Sequence, residues 1–197
     1  MELDTARLRL RPLTDDDVDE LVALHSDPVV MRHLGPPAET AEHVRGVLLP
    51  RFRDLAARMP GVGYAAAEER ATGAFLGWFL FRPPHTEDPP PGEIELGYRL
   101  HRAAWGRGFA TEGSRALVDR GFAELGVDRV MATTMAVNLG SRRVMEKVGL
   151  RCVRTFAAEF DEPLPGSEHG EVEYALTRAE WERAGRDGNA ERAGEHG

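Results

Sequence analysis

Residues Glu93 to Leu100 read Glu-Ile-Glu-Leu-Gly-Tyr-Arg-Leu. Ile94, Leu96 and Tyr98 alternate with Glu93, Glu95 and Gly97, the period-two pattern of a strand with one apolar face. The chain then runs into Trp105-Gly106-Arg107-Gly108-Phe109-Ala110-Thr111-Glu112. The glycines mark a tight turn over Trp105 to Ala110, and Leu117, Val118, Phe122 and Leu125 beyond it predict a helix from Thr111 to about Leu125. A strand that feeds a glycine turn and then a helix presents a row of backbone N–H groups, including those of the helix's first turn. That is an anion cradle, and Gly106 and Gly108 let a diphosphate approach without a Cβ in the way. A tight turn without a ligand is the alternative reading. The spacing is not Gly-x-Gly-x-x-Gly and Gly-Lys-Ser/Thr is missing, so neither a dinucleotide fingerprint nor a P-loop is supported.

The same arrangement recurs downstream. Arg129 to Thr134 reads as a strand, and Asn138 to Val148 as a helix that Gly149 stops. Asn138 has the character of an N-cap. Ser141 shares a face with Val144, Met145 and Val148, so its hydroxyl should point inward and need a partner. The rest of the chain predicts a strand over Thr5 to Leu10 and a helix from Thr14 to about His25. A second helix over Thr40 to Arg58 should kink or break at Pro50. Tyr64 to Glu68 and Phe75 to Phe81 should form an antiparallel pair. The proline-rich stretch Arg82 to Gly92 should be a loop, as should Asp161 to Gly170. Arg151 to Phe156 and Glu171 to Leu176 close the fold as two strands. The order is β-α-α-β-β-β-α-β-α-β-β. The strand–helix–strand units of the second half predict a partly parallel sheet.

Composition narrows the function. The 197 residues carry 25 basic and 33 acidic side chains, a net charge of −8, and this disfavours nucleic-acid binding while suiting a cationic partner. One cysteine, Cys152, excludes a disulfide framework and a multi-cysteine zinc site, and no metal is expected. No apolar run approaches the roughly 20 residues of a membrane span, and no secretory signal opens the chain. These features lead to the expectation of a cytoplasmic protein without membrane or nucleic-acid partners. The length suits one domain, read as residues 1–182, followed by a flexible charged and glycine-rich tail over 183–197. A homodimer is left open.

Trp-Gly-Arg-Gly-Phe-Ala-Thr-Glu, followed after 26 residues by Asn-x-x-Ser-x-x-x-x-Glu-Lys-x-Gly-Leu, resembles the GNAT superfamily of acetyl-CoA-dependent N-acetyltransferases. Within it, the chain is similar to the branch that contains the ribosomal-protein alanine acetyltransferases. The resemblance runs from about Ala6 to Trp181, including the opening Arg-Leu-Arg-Leu-Arg-Pro-Leu and the closing Glu-Tyr-Ala-Leu-Thr-Arg-Ala-Glu-Trp. It implies a single α/β (α+β) acyl-CoA N-acyltransferase domain, with a mixed, mostly antiparallel sheet and one splayed parallel strand pair. It implies acetyl-CoA as co-substrate, with Leu100, Trp105, Gly106, Arg107, Gly108, Phe109, Ala110 and Thr111 around its diphosphate. Asn138 would bond the pantetheine arm, and Ser141 would contact the thiol sulfur. The superfamily's usual Gln or Arg at the start of the turn is Trp105 here, and the second helix has no tyrosine to act as the acid for the leaving thiolate. That role falls to Ser141 or to solvent.

The implied reaction is attack of a primary amine, on a protein N-terminus or a small molecule, on the thioester within a ternary complex. Backbone N–H groups of the strand ending at Leu100 would hold the oxyanion. An alkylammonium has a pKa of about 10.4, so a carboxylate must take its proton. Glu95 is the first candidate and Glu93 the second, against a solvated strand face as the plain alternative. His25, His33 and His101 are weaker candidates. The competing reading is a module of the same fold that binds coenzyme A or an effector without transferring acetyl.

Overall fold

The computed structural model describes residues 1–35, 40–157 and 164–185. Its centre is one eight-stranded sheet in the order β1-β2-β3-β4-β5-β6-β8-β7. The strands are β1 (Leu3–Asp4), β2 (Leu8–Arg11), β3 (Gly63–Glu69), β4 (Phe75–Arg82), β5 (Glu93–Leu100), β6 (Arg129–Met135), β7 (Arg151–Phe156) and β8 (Glu171–Thr177). The first expected strand is thus two short ones. Thr5 folds the chain back there: its amide donates to the Leu8 carbonyl, and its hydroxyl accepts from the Leu8 amide.

All neighbouring strands are antiparallel except β5 and β6. β8 lies between β6 and β7, so of the two strand–helix–strand units only β5–helix–β6 joins adjacent parallel strands. Helix α5 (Phe109–Glu124) makes that crossover, and α6 (Leu139–Val148) follows β6. Both cover one face, where Phe79, Phe81, Ile94, Leu96, Phe109, Leu117, Phe122, Val130 and Met145 form the larger core. Gly121 brings α5 so close to the sheet that a Cβ there would lie 2.6 Å from the Phe81 ring.

The other face carries α1 (Val18–Ser26), α3 (Ala41–His43) and α4 (Leu49–Arg58), whose side chains pack a second core around Val18, Leu21, Val44, Leu49 and Phe52, and a short helix, α2 (Pro28–Met31), follows α1. Asp27 ends α1 and caps α2, its Oδ1 accepting from the Val29 amide at 2.8 Å. The sequence pattern predicts only the helix that ends near His25, and the short α2 turn follows it directly. The expected irregularity at Pro50 takes a specific form. A π-helical turn, Val44–Leu48, separates α3 from α4, and Pro50 stands in the first turn of α4, where its missing N–H is tolerated. Helix α5 begins at Phe109, two residues before the expected start. Residues 178–185 are helical, so the expected tail begins as a helix, and the remainder of it lies outside the described residues. So does part of the expected Asp161 to Gly170 loop.

Candidate functional site

The parallel pair is formed over three positions only: Glu93 with Arg129, Ile94 with Val130 and Glu95 with Met131. β5 then continues to Leu100 and β6 to Met135 with no further pairing between them, so the sheet is split there. On its other side β5 stays paired with β4 as far as Leu100 opposite Gly77. The His101 amide donates to the Leu76 carbonyl at 2.9 Å. Counting back along an antiparallel ladder from that bonded pair, Arg99, Gly97 and Glu95 turn their backbone groups to β4. Leu96, Tyr98 and Leu100 therefore turn theirs into the split. The Leu100 carbonyl is already taken, accepting from Trp105 Nε1 at 2.8 Å.

The turn after β5 is built as expected for an anion cradle. Gly106 (φ +72) and Gly108 (φ +85) are both left-handed, a backbone conformation that costs other residues energy. Among the described residues, no well-formed hydrogen bond joins the backbone N–H groups of Gly106 to Thr111 to a protein acceptor. These six donors lie at and just before the positive end of the 16-residue helix α5. A Cβ at Gly106 would meet nothing within 4 Å, so the space over the turn is open. An anionic diphosphate fits such a site.

Other predicted contacts here have structural duties. Phe109 is fully buried, with the Arg7 and Arg107 guanidinium groups each 4.7 Å over its ring. Arg107 also pairs with Glu69 at 2.5 Å. Glu112, in the first turn of α5, accepts from Thr5 Oγ1 at 2.6 Å and from the Arg7 amide at 2.8 Å, and it pairs with the Arg7 guanidinium. These bonds hold its carboxyl below the usual range and tie the cradle to the β1–β2 turn. Thr111 lines an open groove with Arg7, Gly108, Glu112, Arg115 and Lys147. Ala110 packs against the larger core and Trp105 is 43% exposed.

Across the split, Asn138 is the N-cap of α6. Its Oδ1 accepts from the Ser141 amide at 3.2 Å, and its Nδ2 donates to Thr134 Oγ1 at 3.0 Å. One Nδ2 hydrogen is left over. Ser141 does point inward, and its partner is Tyr98: the phenol oxygen lies 3.0 Å from Ser141 Oγ and 3.2 Å from the Ser141 carbonyl. Burial pushes the Tyr98 phenol up to about 12, against the pull of that hydrogen bond. Tyr98 thus reaches from β5 to α6 across the split. Sequence reasoning missed it because it falls in the apolar series with Ile94 and Leu96; only its hydroxyl distinguishes it.

Glu93 and Glu95 share the opposite sheet face, as the alternation requires, and both are ion-paired. Glu95 lies 3.0 Å from Arg82, and Glu93 lies 2.6 Å from Arg129. Arg129 also holds Glu173, which takes a second cation, Arg154, at 2.6 Å. Glu171, beside them in the register and opposite Met135, differs. Burial alone raises its carboxyl, with no described cation to offset it. It too was missed, being read only as the start of a closing strand. The histidines carry no evident catalytic arrangement. His25 is buried, its Nε2 accepting from Trp78 Nε1 at 3.0 Å, and burial, with the charges of Arg99 and His101, lowers it to about 4. Burial and Arg32 lower His33, and His101 Nε2 lies 3.5 Å from the Glu20 carboxylate. No group of three or more metal-ligating side chains occurs among the described residues, and no described helix is long and apolar enough to cross a membrane.

Comparison with known proteins agrees with this geometry. Residues 7–151 match the family described as the acetyltransferase (GNAT) domain. The chain is 38% identical over 187 residues to the FsC-acetyl coenzyme A-N(2)-transacetylase of Aspergillus fumigatus, covering 92% of this chain and 78% of that one. Its fold is shared with the spermidine N-acetyltransferase of Vibrio cholerae, solved with CoA and spermine, at a TM-score of 0.74 and 15% identity over 90% of this chain and 99% of that one. It is also shared with RimL, the ribosomal L7/L12 alpha-N-protein acetyltransferase solved with coenzyme A, at 0.72 and 18% over 88% and 95%. With the split parallel pair and the cradle at the end of β5, these matches place the chain in the GNAT family of acetyl-CoA-dependent acetyltransferases.

Proposed function

We propose that this protein transfers an acetyl group from acetyl-CoA to a primary amine, on a small molecule or a protein N-terminus, by direct attack in a ternary complex. The observation that carries the reading is the continuity of the cradle at Gly106 to Thr111 with the split between β5 and β6. Acetyl-CoA, when bound, supplies the acyl thioester. The chain's part is to hold the diphosphate on the free amides and to place Asn138 along the pantetheine arm. The Leu96, Tyr98 and Leu100 backbone faces the split, where an N–H can donate to the carbonyl oxygen as charge builds on it.

The names of the Aspergillus and Vibrio proteins, an N(2)-transacetylase and a spermidine N-acetyltransferase, agree with an amine acceptor. An acidic sheet face suits its ammonium form. Glu95, at the last paired position before the split, is our first candidate for the base. Taking a proton there weakens its ion pair with Arg82. Glu93 is tied to Arg129 and comes second, while Glu171 carries no such tie among the described residues. Direct transfer is favoured because the only cysteine, Cys152, is exposed on β7, two strands beyond β6.

Initial rates over a grid of acetyl-CoA and amine concentrations, followed by thiol release across an amine panel, test this. Intersecting reciprocal plots with at least one amine are expected. Parallel plots with an isolable acetyl-enzyme would overturn direct transfer, and tight coenzyme A binding without turnover on any amine would favour a binding module.

A further inference from the structure

We propose that Arg7, in the turn between β1 and β2, is a positioning residue for the diphosphate cradle: it fixes the peptide between Arg107 and Gly108 so that the Gly108 amide faces the bound coenzyme A. The inference rests on the acetyl-CoA reading above and extends it to a residue about 100 positions away from the turn it serves.

Arg7 Nη1 donates to the Arg107 carbonyl at 2.9 Å. That carbonyl and the Gly108 N–H belong to one planar trans peptide unit, so they point in opposite directions. Holding the carbonyl against Arg7 turns the N–H away from it, and no well-formed bond to a protein acceptor takes that N–H. Glycine at 108 leaves the peptide free to flip, because its φ is unrestricted by a Cβ. A hold from outside the turn therefore decides which way the amide faces.

Arg7 is itself held in place. Its amide donates to Glu112 Oε1 at 2.8 Å, and its carbonyl accepts from the Arg70 amide at 2.9 Å. Nε lies 2.7 Å and Nη2 2.6 Å from Glu112 Oε2, and the guanidinium stands over the Phe109 ring. These contacts leave Nη1 for the Arg107 carbonyl. A planar guanidinium serves a carboxylate and a carbonyl at once, whereas an ammonium is a single point charge. The pair also cancels the Glu112 charge, which otherwise stands in the first turn of α5 beside an anionic ligand. The Arg7 side chain is nearly half exposed, so the ion pair itself adds little to stability. Its consequence is local, at the peptide it turns.

Coenzyme A is the probe, with calorimetry, melting temperatures and nitrogen-15 amide spectra recorded for wild type, Arg7→Lys, Arg7→Met and Glu112→Gln. A hydrogen bond to a charged acceptor corresponds to roughly a 10- to 150-fold change in affinity. Arg7→Lys should weaken coenzyme A binding about tenfold, at the low end of that range because the amide is loosened rather than lost. Its melting temperature should fall little. At saturation the binding-induced shift of the Gly108 amide should shrink, while Gly106 keeps its wild-type shift. Arg7→Met keeps a stem over Phe109 without a donor and should weaken binding at least as much. The KM for acetyl-CoA should rise with the Kd while kcat holds. Glu112→Gln should show the reverse pattern. It lowers the melting temperature, yet coenzyme A affinity holds, because the amide oxygen still accepts from Arg7 and a negative charge near the ligand is gone. Wild-type affinity and a wild-type Gly108 shift in either folded Arg7 variant overturn the proposal while coenzyme A binding stands. Equal losses of affinity in the Arg7 and Glu112 variants, in step with their melting temperatures, would mean general bracing and overturn it too. Failure of the wild type to bind coenzyme A overturns both this inference and the acetyl-CoA reading.

Discussion

Asn138 makes two separable contributions, and substitution can divide them. Its Oδ1 caps α6 through the Ser141 amide, and its Nδ2 donates to Thr134. The remaining Nδ2 hydrogen is the one assigned to the pantetheine arm. Asn138→Ser keeps a competent cap and loses the amide donor, whereas Asn138→Ala loses both. Losing the cap costs about 1 kcal/mol, and losing the neutral bond to Thr134 costs about 0.5–1.5 kcal/mol. At about 2–4 °C per kcal/mol for a chain of this length, serine should lower the melting temperature by a few degrees and alanine by several more. Binding should follow another pattern. One uncharged hydrogen bond is worth roughly a 2- to 12-fold change in affinity, and both variants lose it. Differential scanning fluorimetry and initial-rate kinetics read the two quantities. The KM for acetyl-CoA should rise equally in the two variants while their melting temperatures separate. Wild-type KM in Asn138→Ser would show that the residue is a cap and nothing more.

Glu95→Gln should lower turnover about 10²–10⁴-fold if Glu95 is the base, with the loss shrinking at high pH where more amine is neutral; wild-type rates would remove it from the mechanism. Glu171→Gln in the same assay is the control that exchanges the candidates, and a loss confined to it would move the role there. Gly121→Ala places a Cβ 2.6 Å from the Phe81 ring, so overpacking should cost about 1–3 kcal/mol and lower the melting temperature, with KM for acetyl-CoA unchanged well below it. Removing Glu112 from its bonds to Thr5 and Arg7 by Glu112→Gln should destabilise the fold at neutral pH. Its carboxyl titrates lower folded than unfolded, so the wild-type advantage is present above the unfolded pKa and disappears as pH falls through the folded one. Melting temperatures of wild type and variant that converge on acidification are the expected result.

The parts of the fold written in local pattern were legible. The alternation of Glu93 to Leu100 gave β5 its two faces, and the glycine pair gave the turn its place at a strand-to-helix junction. Glycine there reports backbone conformation first, however. At φ +85 and with a Cβ only 3.3 Å from Arg7 Nη2, Gly108 is required by the turn itself, whatever binds over it. Long-range pairing was less legible. No local signal says that β8 inserts between β6 and β7, or that Glu95 meets Arg82 and Glu93 meets Arg129. Those ion pairs change what the two carboxylates can do. Tyr98 and Glu171 were hidden for opposite reasons: one polar atom on an otherwise apolar face, and one acid with no ion pair among the described residues, set among acids that all look alike in a string of letters.

The central claim is that the amides of Gly106 to Thr111 hold the coenzyme A diphosphate. It is tested most directly by titrating the nitrogen-15-labelled protein with coenzyme A and following the Gly106 and Gly108 amide resonances. The account predicts large, saturable downfield shifts of both, at the concentration where coenzyme A binding saturates by calorimetry. Saturable binding by calorimetry with these two resonances unmoved would contradict it.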